Sequence, residues 1–510
     1  MERVELAEAA ALVGAVAAPL VLLARSRVAF LAGIALLAAA EAGLAFALVP
    51  DQLAAATASP ARIGILVVGL AGLGVLAALF ARFPASVPAA LLLAAPVRIP
   101  LTVRGEEAFL LVPLYAVLAS AALALAYRLV RADEFRPLPL VLAVPAGAFV
   151  ALAAVSLLWS GDPREGTIRL FFFLFPCTVL VAVLAQARLS DAVYRSLAGV
   201  LLASTTAVAA IGISQQWSHD LIFADDLQSA NAYTTFFRVT SIFNDPSVYG
   251  RYVALGIVVL FVLLWFERIR LALALPLLAV LCAGLYFSYS QSSFAALAVA
   301  VLLVTLLVGD RRTRVVVGVA TVVVALAGVG IFAGTVQDES LRRATSGRSG
   351  LASTTGTIFL DHPVIGVGIG AQPAESRRLE EERPGRASAS HTTPLTVAAE
   401  LGVIGLAAYA AFLFAAVRGS LLALRREQAL GLSLLGGLTV LVVHSLVYGG
   451  FFEDPFVWFA LGLAAACLAS TPVPAGQPAR GSVSARRGWR DAARRRGAMI
   501  VPRQGRRERS

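Results

Sequence analysis

Apolar positions in this chain form long uninterrupted blocks rather than alternating with polar ones. Blocks of membrane-spanning length occur at 6–24, 28–49, 63–81, 84–103, 108–127, 138–159, 168–187, 197–214, 248–266, 271–288, 293–309, 315–334, 394–417, 430–448 and 456–470. A helix needs about 20 apolar residues, at about 1.5 Å each, to cross about 30 Å of hydrocarbon. The pattern predicts an all-α, polytopic integral membrane bundle of about 14–15 spans, with a large exterior loop before the last three. The fourth block is interrupted by Pro96, Arg98 and Pro100. It reads as a broken or re-entrant helix, tolerable only where protein or a wet cavity shields its backbone. No period of 20–50 residues and no inverted halves are visible, so a transporter built on pseudo-symmetric halves is not supported.

The polar positions set the orientation. With all fifteen blocks crossing, the loops bearing Arg25/Arg27, Arg128/Arg131/Arg136, Arg188/Arg195, Arg268/Arg270, Arg311/Arg312/Arg314 and Arg418/Arg425/Arg426 share one side with the 471–510 tail. By the positive-inside rule that side is the cytoplasm. The expected location is the cytoplasmic (inner) membrane, with the N-terminus outside and the C-terminus inside. The first residues carry no basic stretch, so 6–24 reads as a first span rather than a cleaved signal peptide. The same parity places 215–247 and 335–393 outside.

Composition then narrows the class. Hydrophobic residues make up 59% and charged residues 14%, with a mean hydropathy of +0.82, which excludes an ordinary soluble enzyme. The net charge of +11 resides mostly in one place, since 471–510 holds eleven Arg against Asp491 and Glu508. That is a topogenic tail, or one that meets anionic lipid or a partner, and not a nucleic-acid surface. Cys177, Cys282 and Cys467 sit singly in apolar runs, so neither disulfides nor a thiolate metal site is indicated.

Candidate chemistry lies in the exterior segments. His391 ends the longer one, and Thr392-Thr393-Pro394 follows as a helix cap with Pro at the first helical position. An imidazole there stands at the lipid–water boundary, where a general base meets both a lipid-borne and a water-soluble substrate. An ordinary surface His at a helix start is the alternative. Arg238 is the only Arg in 215–247, among Asp220, Asp225, Asp226 and Asp245, and Arg348 lies in Ser346-Gly347-Arg348-Ser349-Gly350. Guanidinium groups present the bidentate donors a diphosphate requires, although each is equally readable as a loop cation.

His444 lies within a span beside Tyr448, Glu453 and Asp454 and reads as a structural hydrogen-bonding group first, a cavity or relay group second. Arg98 and His444 are the ionisable groups this reading finds inside spans. His219 and His362 read as solvated loop residues. The 335–393 segment balances seven acids with seven Arg; Leu351–Leu360 predicts a short helix and Glu380–Gly385 a solvated stretch. Gly366-Val367-Gly368-Ile369-Gly370 lacks Rossmann or Walker spacing and reads as a tight, closely packed turn. Metal-ligand spacings and a nucleophile elbow are absent, so metal-independent chemistry without a cofactor is expected.

Three stretches together resemble the O-antigen ligase and polymerase family of polytopic bacterial membrane glycosyltransferases. They are Asp361-His362-Pro363-Val364-Ile365 running into the glycine-rich turn, His391-Thr392-Thr393-Pro394-Leu395 with Glu400-Leu401-Gly402-Val403-Ile404-Gly405, and Arg238 through Asn244-Asp245-Pro246-Ser247. The resemblance covers roughly 140–470. It divides the chain into additional or divergent spans at 1–137, core spans at 138–334, the large exterior loop at 335–393, three final spans at 394–470 and the Arg-rich tail. Thr392 stands where the family more often has Asn or Ser, and about three extra spans precede its usual twelve.

The resemblance implies that His391 is a catalytic base, that Arg238 and Arg348 hold the diphosphate of a polyprenyl-linked glycan donor, and that Glu400 supports the site. The implied partners are that donor, a glycan or glycolipid acceptor and membrane lipids, and the implied reaction is an inverting transfer at the outer face of the membrane. A transporter of a small solute or inorganic anion is the competing class. It predicts ionisable groups and broken helices at mid-bilayer.

Overall fold

The computed structural model describes residues 2–56, 58–103, 106–131, 134–233, 236–319, 348–381 and 392–469. Among these, eleven helices are long and apolar enough to cross a membrane, and Pro84–Ala94, Leu271–Phe287 and Pro455–Ala469 are shorter apolar helices. The chain is a multi-pass, all-α membrane protein. The twelfth block is described only as far as residue 319, and the 471–510 tail and the Glu382–Gly385 part of the charged stretch lie outside the described residues.

Helix starts follow local chemistry. Ser26, Ser59, Asp162, Ser190, Asp245 and Ser290 each accept a backbone N–H two or three residues ahead, and Pro60, Pro163 and Pro246 occupy the first helical turn where no N–H is needed. Pro246–Trp265 is the central pillar, with 89% of its apolar window buried, whereas Pro60–Arg82 buries only 6% and turns its apolar surface outward.

The fourth block does not form one helix. A 3₁₀ turn at Pro84–Ser86 leads into Val87–Ala94, after which Ile99–Val103 pairs antiparallel with Glu106–Leu110, Ile99 opposite Leu110. Pro96 and Pro100 remove two helix donors, and the Pro ring collides with the preceding turn. The hairpin also takes the start of the fifth block, whose helix begins at Val112. The seventh block begins earlier than its apolar pattern, at Pro163, and passes through a π-helical turn at Leu170–Leu174.

Connections gather at two ends of the bundle. At one, Arg25 and Arg27 donate to the carbonyls of Leu138 and Leu129, Arg268 pairs with Glu427 at 2.7 Å, and Arg426 donates to Cys467 and Leu468 carbonyls. At the other, the turns near 160, 240, 289, 366 and 450 meet. This second end is rooted by aromatic packing: Phe149 stacks on Phe452 at 4.1 Å, and the Trp458 indole donates to the Phe452 carbonyl.

Candidate functional site

The glycine-rich turn is woven into a broken helix. Thr393–Arg426 is interrupted at Gly402 (φ 65°, ψ −162°), which releases backbone groups on both sides of the break. The freed carbonyls of Ala399 and Glu400 accept from Val367 and Gly368 N–H at 3.0 and 2.8 Å. The freed N–H of Val403 donates to the Pro363 carbonyl at 2.8 Å. The turn thus takes up backbone groups that the break releases, as a buried chain requires. Gly366 (φ 68°) has no room for a side chain, because a Cβ would meet the Glu400 backbone; at Gly402 it would meet the Val364 carbonyl. The opposite flank of the turn is held by Ser160 Oγ donating to the Ile369 carbonyl (2.8 Å) and by Ile369 N–H donating to Ser156 Oγ (3.1 Å).

Inside this weave sits a buried ion pair. Both carboxylate oxygens of Glu400 lie 2.9 Å from Arg169 Nη1, with side-chain exposures of 6% and 18%. Arg169 Nε also donates to Glu165 at 3.2 Å and lies 4.0 Å from Glu453. One guanidinium thus ties the start of the seventh span to the broken helix and to the 449–454 turn. Charge-assisted bonds of this kind are the strong ones, and removing either partner strands a buried charge.

A second buried pair lies at the same end. Arg251 Nη2 meets Asp454 Oδ2 at 2.8 Å, both side chains at most 5% exposed. Arg251 Nη1 approaches His444 Nδ1 at 3.5 Å. The Tyr448 ring packs 5.1 Å from His444 and 5.9 Å from the Arg251 guanidinium. Its hydroxyl is pushed up by burial and by the Asp245 carboxylate beside it. Asp245 in turn caps Pro246–Trp265 through Ser247 and Val248 N–H, and Thr393 Oγ1 donates to the Tyr448 carbonyl at 3.3 Å.

These contacts bring the motif-bearing stretches to one end of the bundle. Tyr448 touches the Asn244-Asp245-Pro246-Ser247 turn on one side and the helix that follows His391 on the other. Arg238 is half-buried, its backbone bracketed by Asn231 Nδ2 (3.0 Å) and Oδ1 (3.2 Å), with Nε donating to the Ser288 carbonyl at 3.4 Å. Glu400 is the buried partner of Arg169. His391 lies outside the described residues. Arg348 opens the helix Arg348–Asp361, which contains the expected Leu351–Leu360 segment, and its side chain lies outside the described residues. His219 and His362 are exposed, as expected.

Arg98 lies between the short helix Val87–Ala94 and the hairpin rather than within a span, and besides His444 the spans hold Glu41, Arg169, Arg251 and Glu400. Arg169 and Arg251 are the important residues that the sequence reading missed, and Asp454, noted there only as a neighbour of His444, is the partner of Arg251. A single charge inside an otherwise apolar run was the available signal.

Residues 276–410, about a quarter of the chain, match the O-Antigen ligase family model, the family that the sequence motifs resemble. The match spans Arg348, the glycine-rich turn, His391 and Glu400, and it supports a membrane glycosyltransferase of the O-antigen ligase or polymerase type. No curated protein matches the chain.

Proposed function

We propose that this chain transfers a glycan from a polyprenyl-diphosphate carrier to an acceptor hydroxyl at the outer face of the cytoplasmic membrane. The observation that carries the reading is the meeting of three motif-bearing stretches at one end of the bundle, through the Thr393–Tyr448–Asp245 contacts and the backbone bonds of Val367 and Gly368 to Ala399 and Glu400. A glycosyl diphosphate already carries a good leaving group. The protein needs to supply orientation, anion stabilisation and one proton acceptor.

In this reading His391 takes the acceptor hydroxyl proton as the oxygen bonds to the anomeric carbon. The carbon–oxygen bond to the diphosphate breaks, and the carrier leaves as polyprenyl diphosphate against Arg238 and Arg348. One displacement inverts the anomeric centre. Glu400, fixed by Arg169, positions the helix that begins directly after His391.

The test is purified full-length chain incubated with a synthetic polyprenyl-diphosphate sugar and a panel of hydroxyl acceptors, followed by chromatography of the lipid and glycan products. Glycan transfer that disappears in His391→Ala at unchanged folding is the expected result. Absence of transfer to every acceptor, together with solute uptake by reconstituted vesicles that His391→Ala leaves intact, would establish the transporter reading instead.

A further inference from the structure

The turn 446–454 joins Gln428–Ser445 to Pro455–Ala469, and its polar groups reach several parts of the site end. Glu453 lies 4.0 Å from Arg169 Nε in the seventh span, and Asp454 meets Arg251 in the central pillar at 2.8 Å. The Phe452 carbonyl accepts from the Trp458 indole at 2.9 Å, and the Val447 N–H donates to the His444 carbonyl at 3.2 Å. Breaking the Arg251–Asp454 pair would strand a buried charge, so the turn is a rigid mount.

Tyr448 stands on that mount and bonds in two directions. Its ring packs 5.1 Å from the His444 ring and 5.9 Å from the Arg251 guanidinium, which holds the side chain in place. Its hydroxyl donates to the Asp245 carboxylate, and its carbonyl accepts from Thr393 Oγ1 at 3.3 Å. Asp245 closes the strap that begins at Arg238, and its Oδ1 is held by Ser247 and Val248 N–H at 2.6 and 3.2 Å. The strap is pinned again where Val239 N–H donates to the Phe287 carbonyl at 3.2 Å. Thr393 opens its helix two positions after His391 and is 5% exposed. One residue thus touches the end of the Arg238 strap and the start of the helix behind His391.

We propose that Tyr448 is a positioning residue for the transfer, holding the Arg238–Asp245 strap and the Thr393 helix start at one fixed separation. The assignment rests on the transferase reading above and adds to it the part that sets the base against the leaving group. A displacement tolerates little error in that separation, and a misplacement of about 1 Å costs on the order of 10²-fold in rate. Tyr448 touches neither the acceptor nor the diphosphate in this scheme. Its hydroxyl acts on the strap and its carbonyl on the helix, so the two halves of the clasp can be cut separately.

The experiment uses full-length protein in detergent, the synthetic polyprenyl-diphosphate sugar and an acceptor that the wild-type chain uses. Tyr448→Phe keeps the packed ring and removes the hydroxyl. Thr393→Val removes the other contact in a side chain of the same shape, and Thr393→Ser puts the hydroxyl back. Expected results are a fall in kcat of about tenfold or more in Tyr448→Phe and in Thr393→Val, with the donor KM within about twofold of wild type. Thr393→Ser is expected to keep kcat near wild type. The double variant Tyr448→Phe/Thr393→Val should lose little beyond either single one, since each already uncouples the two parts. Hydrogen exchange gives a readout independent of turnover: Tyr448→Phe should accelerate Ser247 and Val248, and Thr393→Val should accelerate Thr396, each by about tenfold.

Unchanged kcat in both Tyr448→Phe and Thr393→Val overturns the proposal, as does a loss in Thr393→Val that Thr393→Ser shares. A loss confined to the amount of folded protein, with kcat per folded molecule and KM unmoved, makes Tyr448 a purely structural residue and overturns it too. A rise in donor KM at unchanged kcat assigns Tyr448 to binding and overturns the positioning role. Glycan transfer that requires His391 but is indifferent to both variants leaves the transferase reading standing and removes only this inference. A wild-type chain that transfers to no acceptor removes both. Because the two variants lie on different elements, misfolding of either leaves the other as an independent test.

Discussion

At the scale of single residues, the arrangement depends on charges that have no water to fall back on. The Arg169–Glu400 pair is the clearest case, because each partner would be an isolated buried ion without the other. Glu400→Ala is expected to lower stability by about 3 kcal/mol, and Arg169→Ala by a similar amount. The double variant should cost clearly less than the two single costs combined, since it removes both charges together. Denaturant or thermal unfolding of the four proteins in one detergent measures the coupling, and strict additivity would show that the pair contributes nothing as a unit. Glu400 was legible in the sequence only through the resemblance of Glu400-Leu401-Gly402-Val403-Ile404-Gly405 to the family's motif. Its partner was not, because the two lie 231 positions apart and nothing in an apolar run indicates which distant charge an Arg will meet. The same holds for Arg251 and Asp454.

At the scale of elements, helix existence was readable and helix interruption only in part. Blocks of about 20 apolar residues have one stable outcome in lipid, where every backbone group must bond within its own segment. The interruptions obey local rules where Pro is involved, as in the fourth block. The break at Gly402 obeys a tertiary rule, because it exists to exchange backbone hydrogen bonds with the 363–368 turn. Gly402→Ala is expected to cost about 2 kcal/mol or more, from a positive φ and from collision with Val364. Repairing the helix would free the glycine-rich turn. Hydrogen exchange at Val367 and Gly368 should accelerate by tenfold or more, while amides in Pro246–Trp265 stay protected. Equal acceleration everywhere would mean that the variant had lost global stability rather than this local clasp.

At the scale of the whole molecule, the span list was readable but the packing was not. In lipid a helix gains little by turning one apolar face inward over another, so the sequence carries no strong periodic face to say which spans touch. What survives is the alternation of ends. Arg-bearing connections near 25, 136, 268 and 426 share one end, and the turns near 160, 240, 366 and 450 share the other. That division is what the positive-inside rule acts on, and it makes a sharp expectation. Tyr233 is 92% exposed beside the Arg238 strap, and Arg270 is exposed at the arginine end. In a chain whose Cys177, Cys282 and Cys467 are replaced by Ala, Tyr233→Cys should react with a membrane-impermeant maleimide in intact cells. Arg270→Cys should react only after the membrane is opened. The reverse pattern would put the glycine-rich turn and Arg238 in the cytoplasm, away from any acceptor on the outer face, and the proposed transfer would lose its compartment whatever the chemistry of its residues.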